Sequence, residues 1–135
     1  AQVLLWPLTD AGADFESYGL FGQERFLTTP LMKWMAGQYI SKPGDADSIY
    51  LSPLRAPMEQ LKGLPPTLIE VAENDILRDE GEEFGRKLDL AGVDVTTVRF
   101  NGVIHDWGML NGCAGLSETK TLVMFSAAYL KAYLK

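Results

Sequence analysis

The chain has 135 residues, 47% apolar and 22% charged, with a net charge of −6. This is one domain's worth of ordinary globular material, too apolar for a disordered segment and too acidic for a nucleic-acid surface or for attraction to anionic lipid. No run approaches the roughly 20 apolar residues that a membrane-spanning helix needs. Cys113 is the one cysteine, which excludes an intrachain disulfide and fits a reducing, cytoplasmic setting.

The chain opens without Met, directly on an apolar run at residues 3–6 that Pro7 stops. A buried strand is expected there, and such an opening suits a fragment of a longer protein. No basic leader precedes the run, so no signal peptide is expected. Residues 9–22 are rich in Asp and Gly and read as loop. Thr29-Pro30 reads as a helix start, a hydroxyl cap followed by proline at the first position. Leu31, Trp34, Met35 and residues 38–39 then keep helical spacing. Residues 41–48 form a break, and a short helix is expected around residues 58–61.

Pro65-Pro66 launches the clearest strand, residues 67–73. Asp79-Glu80 opens a helix running to about Ala91, with Phe84, Leu88 and Ala91 on one face. Asp79 reads as its N-cap, and Gly92 stops it. Residues 93–100 are β-branched and apolar, hence strand, and Asn101-Gly102 turns the chain. Ser117 reads as the cap of a last helix, 118–134, with Leu122, Phe125, Tyr129 and Tyr133 along a face. Strand, helix, strand, helix implies parallel strands with helices packed on the sheet. Trp34, Trp107 and the tyrosines read as core aromatics, with a pocket lining as the alternative.

Two residues carry the chemistry. Asp75 lies just beyond the strand at 67–73. His105, the only histidine, follows the strand at 93–100 and its glycine-containing turn. An acid and then a histidine, each beyond a strand end, is the order in which an α/β-type serine hydrolase places them after its nucleophile. The histidine serves as base; the carboxylate fixes its tautomer and stabilises the imidazolium. Each residue also has a plainer reading, His105 as a turn histidine and Asp75 as a turn residue bonding its own backbone. Asp106 reads as a solvated or loop-bracing acid. No Gly-x-Ser-x-Gly is present. One histidine and one cysteine make no zinc set, no carboxylates show calcium-loop spacing, and no glycine-rich phosphate loop opens a helix. No metal or cofactor is expected.

The segment 64–92, LPPTLIEVAENDILRDEGEEFGRKLDLAG, resembles the hormone-sensitive-lipase-like carboxylesterases, a branch of the α/β-hydrolase fold. In that family an apolar strand leads into Ala-Glu-x-Asp-x-Leu-Arg-Asp-Glu-Gly, and the first Asp after Ala-Glu is the catalytic acid, here Asp75. The family's histidine falls on His105 in GVIHDWGM. WPLTD at residues 6–10 and SPL at 52–54 also fit. Ile76 stands where proline is common and Trp107 where phenylalanine is common, and neither threatens the chemistry.

The resemblance implies that residues 1–135 are the C-terminal portion of one α/β-hydrolase domain. Three parallel strands with flanking helices would form the far end of an eight-stranded sheet, and residues of about 15–50 would supply part of the cap. The Gly-Asp-Ser-Ala-Gly nucleophile motif and the His-Gly-Gly oxyanion loop would belong to an N-terminal part of the same enzyme, docked at the unpaired edge of the first strand. The implied activity is hydrolysis of short- to medium-chain acyl esters through an acyl-serine intermediate. A non-catalytic binding domain on the same scaffold and a serine peptidase fragment are the alternatives, and homo-oligomerisation is left open.

Overall fold

A computed structural model describes every residue except Pro43 and Lys135; Pro43, part of the expected break at 41–48, lies outside the described residues. Three strands, β1 (Gln2–Leu5), β2 (Thr67–Asn74) and β3 (Val95–Ile104), form one parallel sheet in the order β1-β2-β3. Gln2 stands opposite Thr67 and Leu5 opposite Glu70, while Thr67 also faces Val95. The central strand β2 is buried from Thr67 to Ala72, which is why it reads as a continuous run rather than an alternating one.

Among the described residues five α-helices accompany the sheet: α1 (Glu16–Phe21), α2 (Thr29–Tyr39), α3 (Met58–Leu61), α4 (Arg78–Leu90) and α5 (Ser117–Tyr133). Side chains alternate along β2. Ile69 and Val71 meet Phe84 and Leu88 of α4 in one core cluster. Ala72 joins Trp6, Phe100, Trp107 and Leu122 of α5 in a second cluster on the opposite face. A third cluster gathers Leu27, Ile76 and Leu77, with Leu8, Tyr18, Phe21 and Met32 against it. Through it the segment between β1 and α2 rests on the turn that follows β2.

Two glycines set how closely α4 lies on the sheet. A Cβ at Gly81 would stand 2.8 Å from Val71 Cγ1, and one at Gly85 would run into Thr97 Oγ1.

The structure corrects several expectations. Residues 9–22 are not all loop, since α1 forms within them and its backbone is held from outside, as described below. The cap of α2 is Thr28, whose Oγ1 accepts from Leu31 N at 3.3 Å, while Thr29 Oγ1 donates to Tyr18 O. Asp79 does not cap α4; Leu77 occupies that position without a side-chain bond. Ser117 lies inside α5, after Leu116 at the cap position.

Strand β3 begins at Val95 and does not end at Phe100. It runs through Asn101-Gly102 to Ile104, with a register shift that pairs Ala72 with Phe100 and Asn74 with Ile104. Gly102 adopts φ 75°, and its N–H donates to Glu73 Oε2 at 2.7 Å. A left-handed residue there makes a bulge instead of a turn. Leu122 faces the core, but Phe125 on the same expected face is exposed, and Trp34 is exposed on α2.

Candidate active site

Asp75 follows β2 directly and is buried, 1% exposed. Its Oδ1 accepts from Leu77 N at 2.9 Å, closing a tight turn onto the chain two residues ahead. Its Oδ2 lies 2.8 Å from His105 Nδ1. One oxygen braces the turn and the other meets the imidazole. A carboxylate only accepts, so Nδ1 carries the proton and Nε2 is left as the acceptor.

His105 sits one residue beyond β3. The bulge at Gly102 carries the strand end past Asn74, whose side-chain amide donates to Val103 O at 3.4 Å. Asp106 follows with φ 60°, a left-handed conformation that Asp tolerates better than most residues. The chain then turns through Met109 N to Asp106 O at 2.8 Å. Within this turn His105 faces Asp75, and Trp107, fully buried, enters the core against Phe100 and Trp6 with ring centroids 5.2 and 4.7 Å away. The buried indole anchors the loop that holds the histidine. His105 Nε2 is 3.6 Å from Asp106 Oδ1, too long for a hydrogen bond, and no hydroxyl among the described residues bonds to it.

Trp6 is a site neighbour that periodicity did not reveal. It follows β1 directly with φ 37°, and its ring meets His105 edge-on at 6.1 Å. Its place in the WPLTD motif was the only signal. Beyond it, the chain from Thr9 to Phe21 is bound to the residues that follow Asp75. Ser17 Oγ donates to Ile76 O at 2.5 Å, and Ser17 N donates to Asp79 Oδ2 at 2.9 Å. Arg78 lies 4.9 Å over the Phe21 ring.

Glu80 Oε1 accepts from Thr9 N at 2.5 Å and Asp10 N at 3.0 Å; Glu80 Oε2 accepts from Tyr18 OH at 2.7 Å. Burial pushes the Glu80 carboxyl above its ordinary value, against the opposing bonds from Thr9, Tyr18 and Asp10. Burial, with Glu80 next to it, also drives the Tyr18 phenol up. Burial works against ionised Asp79 as well, but hydrogen bonds from Arg78 and Ser17 prevail and hold its carboxyl below the usual value.

Between this segment and α2 lie two hollows. One, about 270 Å³, has apolar walls that include Leu8, Met32, Met35, Tyr39 and Leu51. The other, about 430 Å³, is bordered by Ala11, Asp14, Tyr18, Met32 and Lys33. Among the described residues no cluster of His, Cys, Asp and Glu could hold a metal ion, and no helix is long and apolar enough to cross a membrane.

Residues 1–109 match the family model of the alpha/beta hydrolase fold. The carboxylic ester hydrolase LipN of Mycobacterium tuberculosis is 40% identical over 135 residues, covering 98% of this chain and 35% of LipN. Ethyl acetate hydrolase of Pseudomonas putida is 33% identical over 106 residues, 78% of this chain and 33% of that enzyme. The crystal structure of a thermostable esterase from Pseudomonas putida superposes with a TM-score of 0.97 at 49% identity, covering 99% of this chain and 42% of the esterase. The chain thus spans about a third of the length of the curated relatives it matches. Strand order and these similarities agree: the chain belongs to the alpha/beta hydrolase family.

Proposed function

We propose that this chain supplies the acid and the base of a serine carboxylesterase, Asp75 and His105, to a nucleophile and oxyanion hole carried by an N-terminal part of the same enzyme. The observation that carries the reading is the 2.8 Å contact between a buried carboxylate and His105 Nδ1. That contact leaves Nε2 free to take the proton of a serine hydroxyl as it attacks an ester carbonyl. The imidazolium so formed is stabilised by Asp75 and returns the proton to the departing alcohol. Water, activated by the same nitrogen, then releases the acid from the acyl-serine. Backbone N–H groups of the N-terminal part would stabilise the tetrahedral oxyanion.

Residues of about 15–50, with α1 and α2, form part of a cap. The hollow walled by Leu8, Met32 and Met35 suits an apolar short or medium acyl chain better than a peptide, whose backbone needs hydrogen-bonding partners. The neighbours named as esterases support the same substrate class.

The test is reconstitution. Co-expressed with the serine-bearing part, this chain should co-purify with it, hydrolyse p-nitrophenyl acetate and butyrate, and permit labelling of the serine by a fluorophosphonate. Peptide anilides should be turned over far more slowly. A reconstituted complex that binds but hydrolyses no ester would leave a non-catalytic binding module as the better reading.

A further inference from the structure

The three residues Arg78, Asp79 and Glu80 open α4 immediately after the Asp75 turn, and all three reach across to the segment at residues 9–21. Arg78 covers the Phe21 ring. Asp79 Oδ2 accepts the Ser17 N–H in the first turn of α1. Glu80, fully buried, accepts the backbone N–H groups of Thr9 and Asp10 and the Tyr18 hydroxyl. Thr9 Oγ1 adds a bond to Glu80 O at 3.0 Å. A buried carboxylate is stabilised only where donors surround it, and here every donor comes from one stretch of chain. None comes from the acid–histidine pair.

The other side of that stretch borders the hollows under α2, with Leu8 on the apolar one and Tyr18 on the more polar one. Leu8 and Tyr18 also pack against the cluster of Leu27, Ile76 and Leu77, whose last two members follow Asp75 in the chain. The start of α4 therefore connects two objects, the acid and the wall of the substrate hollow.

We infer that Asp79 and Glu80 are positioning residues: they clamp the 9–18 segment to the acid-bearing turn, and so set the shape of the substrate hollow relative to Asp75 and His105. This rests on the esterase reading above. The clamp acts on binding. It touches neither the transferring proton nor the reacting carbon, so its loss weakens substrate affinity and blurs acyl-chain selectivity while leaving proton transfer largely intact.

The experiment uses the reconstituted enzyme, with p-nitrophenyl acetate and butyrate as substrates. Glu80→Ala should raise KM for butyrate about tenfold and lower kcat less than about threefold. The preference between the two esters should narrow. Glu80→Gln keeps an acceptor for the Thr9 and Asp10 amides and should recover most of the lost affinity. Tyr18→Phe, which leaves the carboxylate and both amide bonds in place, should give the same split at smaller amplitude, and carries the test if Glu80→Ala does not fold.

Amide exchange gives a second readout on this chain itself. The Thr9 and Asp10 N–H groups should exchange faster in Tyr18→Phe than in the parent, with the β2 amides unchanged. Parent KM and selectivity in the variants, or a fall in kcat without a change in KM, would overturn the clamp. A parent complex that turns over no ester would instead overturn the esterase reading, and the amide exchange would still report on the clamp.

Discussion

Asp75 divides its two oxygens between the Leu77 amide and His105 Nδ1. An asparagine there could keep the first bond, but its amide would face Nδ1 with a donor. The imidazole would then hold its proton on Nε2 and could not accept one from serine. Asp75→Asn in the reconstituted esterase should lower kcat by about 10⁴-fold with little change in KM, and single-turnover acylation should slow equally. Parent-level acylation would remove Asp75 from the mechanism. Glu70 offers a second test, of stability. It is fully buried in β2, with Ser126 Oγ on one oxygen and no partner for the other. Burial raises its carboxyl above the ordinary 4.5, against the opposing Ser126 bond. A carboxyl raised on folding favours the folded state below its unfolded value, and that contribution is lost as pH rises through the folded value. Glu70→Gln, which does not titrate, should therefore gain melting temperature over the parent at about pH 8 and lose that gain towards about pH 4. Parallel melting profiles for the two would show that Glu70 ionises equally in both states. That Asp75 and His105 meet was legible because their position beyond strand ends is a matter of order along the chain. The contacts of Glu80 were not, because its donors Thr9 and Tyr18 lie more than sixty residues away in sequence.

At the scale of elements, β2, α3 and α4 were legible to within a residue or two, since each is bounded by local signals such as Pro65-Pro66 and Gly92. The errors share a cause. Helix α1 contains Gly19 and is short, so its own propensity is weak, and Asp79 and Ile76 tie it down from another part of the chain. Asn101-Gly102 has the composition of a turn, yet the Glu73 carboxylate captures the Gly102 amide and keeps the strand going. That capture matters to the site, because the bulge delivers His105 beside Asp75. Helix packing provides the prediction here. Gly81→Ala would improve helix propensity by about 1 kcal/mol. Its Cβ, however, would lie 2.8 Å from the buried Val71 Cγ1, and overpacking of that kind costs about 1–3 kcal/mol. The steric cost should prevail, so urea denaturation should show net destabilisation. Val71→Ala in the same chain should recover part of it through a favourable coupling term. Simple additivity of the two changes would mean that α4 has room to shift.

The sheet as a whole ends, among the described residues, at β1 on one side and β3 on the other. The two sides of β1 are chemically distinct. Gln2 N donates to Pro66 O at 2.9 Å and Trp6 N to Glu70 O at 2.7 Å, so alternation turns the N–H groups of Val3 and Leu5 away from β2. These outward groups are what a neighbouring strand of the serine-bearing part would need. The groove beside them, lined by Leu5, Trp6, Gly108, Leu122 and Leu130, offers apolar area to the same neighbour. Proline separates docking from folding. Val3→Pro removes one outward donor and leaves every bond to β2 in place, and edge strands tolerate proline on that side. Leu4→Pro removes an inward donor and should loosen β1 from β2 itself. The expected outcome is therefore asymmetric. Val3→Pro should keep the circular dichroism and melting temperature of the parent chain and lose most co-purification with the serine-bearing part. Leu4→Pro should lower the melting temperature. If Val3→Pro reconstitutes an esterase as readily as the parent, the nucleophile does not reach His105 by strand addition at β1, and the docking face has to be sought elsewhere on the sheet.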